Sequence, residues 1–215
     1  MPKVLYERDG RIARITLNRP EVLNAIDDDL PAELSAAVAR ADADPDIHVM
    51  LLSGKGRAFC AGYDLAHYAE ADGPNTVTQE MPWDPIKDYQ FMWSNTQHFM
   101  AMWRALKPVV CKVHGFAVAG GSDIALCADL TFMAETAQIG YMPARVWGCP
   151  TTAMWVYRLG PERAKRMLLT GALQIDFCCL ALSITIFTPP WPPCCRRRGR
   201  GRCRGSRPRR RTRHP

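Results

Sequence analysis

The chain has 215 residues, 47% of them apolar, a length and composition that fit one domain with a substantial core. Its net charge of +7 divides unevenly: residues 196–215 carry eleven arginines and no acid, while residues 1–195 set 17 Lys and Arg against all 21 Asp and Glu. The body is therefore acidic by about four charges, and a nucleic-acid role is excluded for it; only the tail could support one, through nonspecific contact with phosphates.

In chain order, Val4 to Tyr6 and Ile12 to Leu17 alternate apolar and polar residues around Asp9-Gly10, which predicts a hairpin. "NRPEVLNAI" breaks that pattern. From Asp28 the positions Leu30, Leu34, Ala37, Val38 and Ala41 follow helical spacing, and "DADPD" ends the helix. "IHVMLLSG" predicts a buried strand that runs into the glycine-rich loop "GKGRAFCAGYDL". Residues 69–85 read as a long irregular connection. Ile86 to Leu106 predicts one amphipathic helix with Phe91, Met92, Asn95, Phe99, Met102 and Leu106 facing the core. "VVCKV" is a second buried strand, a glycine loop and a helix to Ala128 follow, and residues 130–134 make a third strand. Pro161 to Leu169 is a helix with Gly171 just past its end. The repeated order of strand, loop and helix predicts an α/β domain with ligand loops at the carboxyl ends of its strands.

Cys60, Cys111, Cys127 and Cys149 are widely spaced in apolar or glycine-rich contexts and read as reduced thiols. Cys178, Cys179, Cys194, Cys195 and Cys203 lack C-x-x-C spacing, so no metal site is expected. The start of the sequence shows no charged leader or apolar h-region, which predicts a cytoplasmic protein. The run from Phe177 to Phe187 has eleven residues, too few to cross roughly 30 Å of hydrocarbon, and no membrane partner is expected.

Two glycine loops follow two buried strands: "FCAGYD", with Ala61, Gly62 and Tyr63, and "AVAGGSD", with Gly120 and Gly121. Glycine lets the backbone bend freely and approach a ligand closely, so the pair is a candidate oxyanion hole, each fixed donor adding roughly 3 kcal/mol to a reaction that develops an oxyanion.

Together, "ITLNRPEVLNAI", "GRAFCAGYDL", "VHGFAVAGGSDIALCADL" and "YRLGPERAKRMLLTG" resemble the enoyl-CoA hydratase/isomerase (crotonase) superfamily, in its order and nearly at its spacing, over residues 3–171. The resemblance implies an α/β spiral of repeated ββα units and an acyl-CoA thioester as partner, with coenzyme A part of the substrate and no separate cofactor. It places the amides of Tyr63 and Gly120 on the thioester oxygen and maps one of the family's two catalytic glutamates onto Asp123. Tyr141 and Arg145 join Ala61, Gly62 and Gly121 as expected substrate-binding residues. The other glutamate falls on Pro143 or Ala144, neither of which transfers a proton, and Asp123 is one methylene shorter than glutamate, a retreat of about 1 Å that can lower the rate about a hundredfold. His67 and Tyr68 are expected on an exposed helix face, Asp64 as a helix cap, and Asp129 and His114 as hydrogen-bonding structural groups.

After "MLLTG" the resemblance stops. Residues 172–215 read as a disordered Pro-, Cys- and Arg-rich tail with no period long enough for a packed element, such as a GC-rich gene gives when read out of frame. The expected domains are thus 1–171, acyl-CoA-binding, and 172–215. The family's C-terminal helices, which cover the acyl pocket and build its trimer or hexamer, are missing, which predicts exposed apolar surface. The expected function is enolate chemistry on a CoA thioester, impaired by the truncation; the alternative is an inactive acyl-CoA binder.

Overall fold

The structure is a computed structural model that describes residues 1–70, 73, 77–145, 148 and 150–173, together with the backbone of 184–186. The expectations for Cys149 and for nearly all of the tail lie outside the described residues.

Strands β1 (Val4–Asp9) and β2 (Ile12–Leu17) form the predicted antiparallel hairpin, with Asp9 opposite Ile12. Beside β2, in parallel, come β3 (Val49–Gly54), β4 (Val109–Val113) and β6 (Leu130–Met133). A second, two-stranded parallel sheet pairs β5 (Phe116–Val118) with β7 (Gln138–Gly140). Parallel neighbours require crossovers, and the chain supplies helices for them. Helix α1 (Leu30–Ala43) has Pro31 in its first turn and buries Leu30, Leu34, Ala37, Val38 and Ala41, the residues its period predicted.

The long helix predicted from Ile86 to Leu106 is two: α2 (Pro85–Phe99), capped where Asp84 accepts a bond from Ile86 N, and α3 (Ala101–Arg104), separated at Met100. Asn95, Phe99 and Met102 are buried, but Phe91 and Met92 line a cavity, and Leu106, beyond the last turn, is 91% exposed. A stripe of helical spacing cannot by itself distinguish a core from a pocket wall. The outer side of α2 exposes Ile86, Tyr89 and Trp93, with Tyr89 and Trp93 stacked at 6.1 Å.

Helices α4 (Gly120–Cys127), α5 (Met154–Leu159) and α6 (Pro161–Thr170) complete the body. Gly171 ends α6 in the left-handed conformation that glycine takes without strain. Arg158 on α5 donates to the carbonyls of Leu126, Ala128 and Asp129 at the open end of α4, and its guanidinium lies 5.6 Å from the Trp103 ring. Within the tail, the described residues 184–186 form β8 (Ile184–Ile186), parallel to β6. Its three residues are too short a run for periodicity to reveal. Among the described residues no helix is long and apolar enough to cross a membrane.

Candidate active site

The two glycine loops meet. Cys60 pairs with Ala117, its amide donating to Phe116 O at 2.9 Å and its carbonyl accepting from Val118 N at 3.1 Å. Two residues on, Gly62 O accepts from Ile26 N at 2.8 Å, and Asp64 N donates to Ile26 O at 2.9 Å. Since successive peptide groups of an extended chain point to opposite sides, the amide of Tyr63 between them faces away from Ile26. On the other loop, Ala119 is held at φ 50°, ψ −128°, outside the usual non-glycine regions, and turns the chain into α4. That makes Gly120 the first residue of the helix, where an amide has no intrahelical partner. Neither the Tyr63 nor the Gly120 amide donates a backbone bond among the described residues.

Glycine is required on both sides of this junction. A Cβ on Gly62, at φ +93°, would stand 2.7 Å from Ala119 Cβ and 3.4 Å from Gly120 N, so the two loops touch beside the Gly120 amide. A Cβ on Gly120 would reach to 3.1 Å of the Tyr63 ring, and one on Gly121 would press into the Cys60 carbonyl. Gly121 is thus a packing glycine beneath the junction.

Above it lies a cavity of about 780 Å³, a size suited to a small-molecule group. Of the expected site residues Ala61, Tyr63 and Tyr141 line it, together with Ala119, Leu65, Tyr68, Phe91, Met92, Met142 and Pro143. Tyr68 corrects its prediction: its ring lies edge-on to Phe91 in the cavity wall, and its hydroxyl donates to Asp28, which also holds His67 Nε2 at 3.0 Å. His67 and Tyr68 lie on one turn of π-helix, Ala66–Glu70, a break that apolar spacing did not reveal. Arg145 is exposed and outside the cavity wall, and its Nε donates to Thr170 O.

Asp123 is one turn into α4 and 1% exposed. Its Oδ1 accepts from the Trp155 indole at 3.1 Å and from the Thr152 hydroxyl at 3.4 Å, while the Thr151 amide bonds the same carboxyl. Burial outweighs these donors and pushes its pKa up to about 7. It faces α5 and does not line the cavity. The expected second acid position holds Pro143, in the cavity wall, and Ala144, packed against the core.

The sequence alone left Arg19 and Asn24 without a role. Arg19 reaches Asp64 at 2.9 Å and Asp27 at 3.4 Å, pinning the residue that follows Tyr63. Asp64 also takes the predicted cap position, accepting from His67 N. Asn24, fully buried, accepts from Arg19 N and donates to the carbonyls of Lys55 and Ala58, fastening the start of the first glycine loop. The signal was present in "NRPEVLN": an Arg and an Asn in an irregular segment whose polar groups need partners. Asp129 and His114 are hydrogen-bonding groups as expected, accepting Val109 N at 2.7 Å and meeting Gly56 O at 2.8 Å. The thiols of Cys60, Cys111 and Cys127 are free and buried.

The chain is similar to known proteins in sequence and in fold. A probable enoyl-CoA hydratase of Mycobacterium tuberculosis is 34% identical over 175 residues, covering 78% of this chain and 62% of the relative. An (E)-benzylidenesuccinyl-CoA hydratase of Thauera aromatica is 32% identical over 174 residues, 79% of this chain and 63% of the relative. Among solved structures, an enoyl-CoA hydratase from Mycobacterium smegmatis superposes with a TM-score of 0.77 at 44% identity, covering 86% of this chain and 66% of that one. The chain thus spans about three fifths of the length of these curated relatives. The profile of the enoyl-CoA hydratase/isomerase family matches residues 7–175, a span that holds both glycine loops, the cavity above them and Asp123, and the chain belongs to that family.

Proposed function

We propose that the cavity holds the acyl group of a CoA thioester and that the amides of Tyr63 and Gly120 bind its carbonyl oxygen, stabilising an enolate. One observation carries this reading: Tyr63 and Ala119, the residue before Gly120, line a largely apolar cavity, and the amides of Tyr63 and Gly120 have no described backbone acceptor. Charge that develops on the oxygen meets donors already in place, so little reorganisation opposes the reaction. Asp123 is assigned the proton, because a carboxyl group with a pKa of about 7 both holds and releases one near neutrality. Since it lies behind the cavity wall, the transfer runs through a water or follows a side-chain rotation.

The test is exchange of the α-protons of hexanoyl-CoA in deuterated water, followed by mass spectrometry. Deuterium is expected to enter the acyl chain, and Asp123→Asn is expected to slow its entry about a hundredfold. Exchange unchanged in Asp123→Asn removes the carboxyl from the proton path.

A second reading, a thioester binder without turnover, is favoured by the same placement of Asp123 and by Pro143 and Ala144 at the other acid position. Tight binding with no exchange decides for it.

A further inference from the structure

The side chain of Tyr63 has had no role so far, only its amide. A phenol has one proton to give and lone pairs to accept with. Asn95 Nδ2 donates to Tyr63 Oη at 3.4 Å, from a side chain on α2 that is only 6% exposed. That bond uses a lone pair and leaves the proton, for which no described residue is an acceptor. The ring lies close to Gly120, where a Cβ would stand 3.1 Å from it, and Tyr68 stands edge-on to it at 6.0 Å. Burial raises the phenol's pKa, with Asp123 and Cys60 adding to the effect, so the hydroxyl keeps its proton.

The surrounding wall offers little competition for that proton. Leu65, Phe91, Met92 and Met142 are apolar, the Tyr68 hydroxyl is committed to Asp28, and Asp88 accepts from Gln79 and Trp83. A methylene chain in such a pocket leaves a donor desolvated and unmatched, whereas an acyl group bearing an oxygen satisfies it. A tyrosine hydroxyl also stands a full side chain away from its own amide. Donor and oxyanion site therefore contact different atoms of one acyl group.

We infer that the Tyr63 hydroxyl is a specificity contact, donating a hydrogen bond to an oxygen carried on the acyl chain, so that the site selects oxygenated over saturated acyl thioesters. Asn95 is its positioning residue. This inference rests on the acyl-thioester reading above.

The experiment is calorimetric titration of the full chain with hexanoyl-CoA and with 3-oxohexanoyl-CoA. The wild type is expected to bind the 3-oxo compound about tenfold more tightly. Tyr63→Phe, which keeps the ring and the amide, is expected to erase that preference, and Asn95→Leu to weaken it. A preference that survives in Tyr63→Phe, or a wild type that shows none, overturns the inference while leaving thioester binding intact. Should Tyr63→Phe fail to fold, as judged by circular dichroism, Asn95→Leu decides, an unaltered preference overturning the proposal. If the wild type binds neither compound, the acyl-thioester reading falls and this inference falls with it.

Discussion

Asp123→Asn should stabilise the protein at pH 8 and lose most of that advantage at pH 5. The folded chain holds the Asp123 proton up to a pH of about 7, whereas an unfolded chain releases it near 3.9. Between those values the folded state binds the extra proton, so stability falls as pH rises through the window and is fully present only below it. At 1.36 kcal/mol per pH unit, the wild type carries a penalty of about 4 kcal/mol at pH 8 and less than half of that at pH 5. Asparagine is neutral at both, and its carbonyl oxygen still accepts from the Trp155 indole and the Thr152 hydroxyl. Any fixed change in packing cancels when the two pH values are compared, leaving a difference of about 2 to 3 kcal/mol in favour of the variant at pH 8. In a domain of this size that corresponds to a melting-temperature gap wider by about 5 to 10 °C at pH 8 than at pH 5. Urea unfolding of both proteins at the two pH values and fixed ionic strength measures it. Equal stability differences at pH 5 and pH 8 would refute the reasoning, because they would mean that the buried carboxyl does not titrate in this window. The same substitution tests the proton assignment, since a more stable protein that has lost α-proton exchange separates catalysis from folding.

Two other substitutions probe the supports of the site. Arg19→Ala leaves Asp64 unpaired and Asp27 with Lys3 alone, and is expected to destabilise the fold by about 3 kcal/mol in denaturant titrations; acyl-thioester affinity should fall too, because Asp64 adjoins the Tyr63 amide. Arg158→Ala removes the bonds to three carbonyls at the end of α4 and the contact with Trp103, an expected loss of about 2 kcal/mol in the same assay, and Arg158→Lys should recover only part of it.

Periodicity made the hairpin, α1, α6 and the parallel strands legible, because each buries one face and the sequence shows its repeat. The break at Met100 was not, since the apolar spacing runs through it. Phe91 and Met92 carry the same signal whether they meet a core or a cavity, so only the fold distinguishes the two. Glycine placement located the junction of the two loops, for reasons now visible: at Gly62, Gly120 and Gly121 an added Cβ would strike the neighbouring loop or the Tyr63 ring. The direction of Asp123 was beyond the sequence, because its partners Thr152 and Trp155 are 29 and 32 residues away and nothing local marks them.

Gly120 and Asp123 are three residues apart on α4, a spacing that puts both on neighbouring parts of one helix face. Their surroundings nevertheless differ. The Tyr63 ring lies over Gly120, while α5 brings the Trp155 indole and Thr152 to Asp123, so the short aspartate side chain finds its donors away from the cavity. With Ala144 and Pro143 at the other acid position, the cavity wall carries neither of the two glutamates that the family resemblance calls for. What it does carry is Tyr63 and, on the other loop, Ala119, the residue before Gly120. In the proposed reading, recognition of the acyl thioester therefore falls to backbone donors and to Tyr63, and the speed of any proton transfer depends on how readily Asp123 gives up its bonds to α5. Holding the carboxyl more loosely favours turnover, and holding it as tightly as Trp155 does favours a binder.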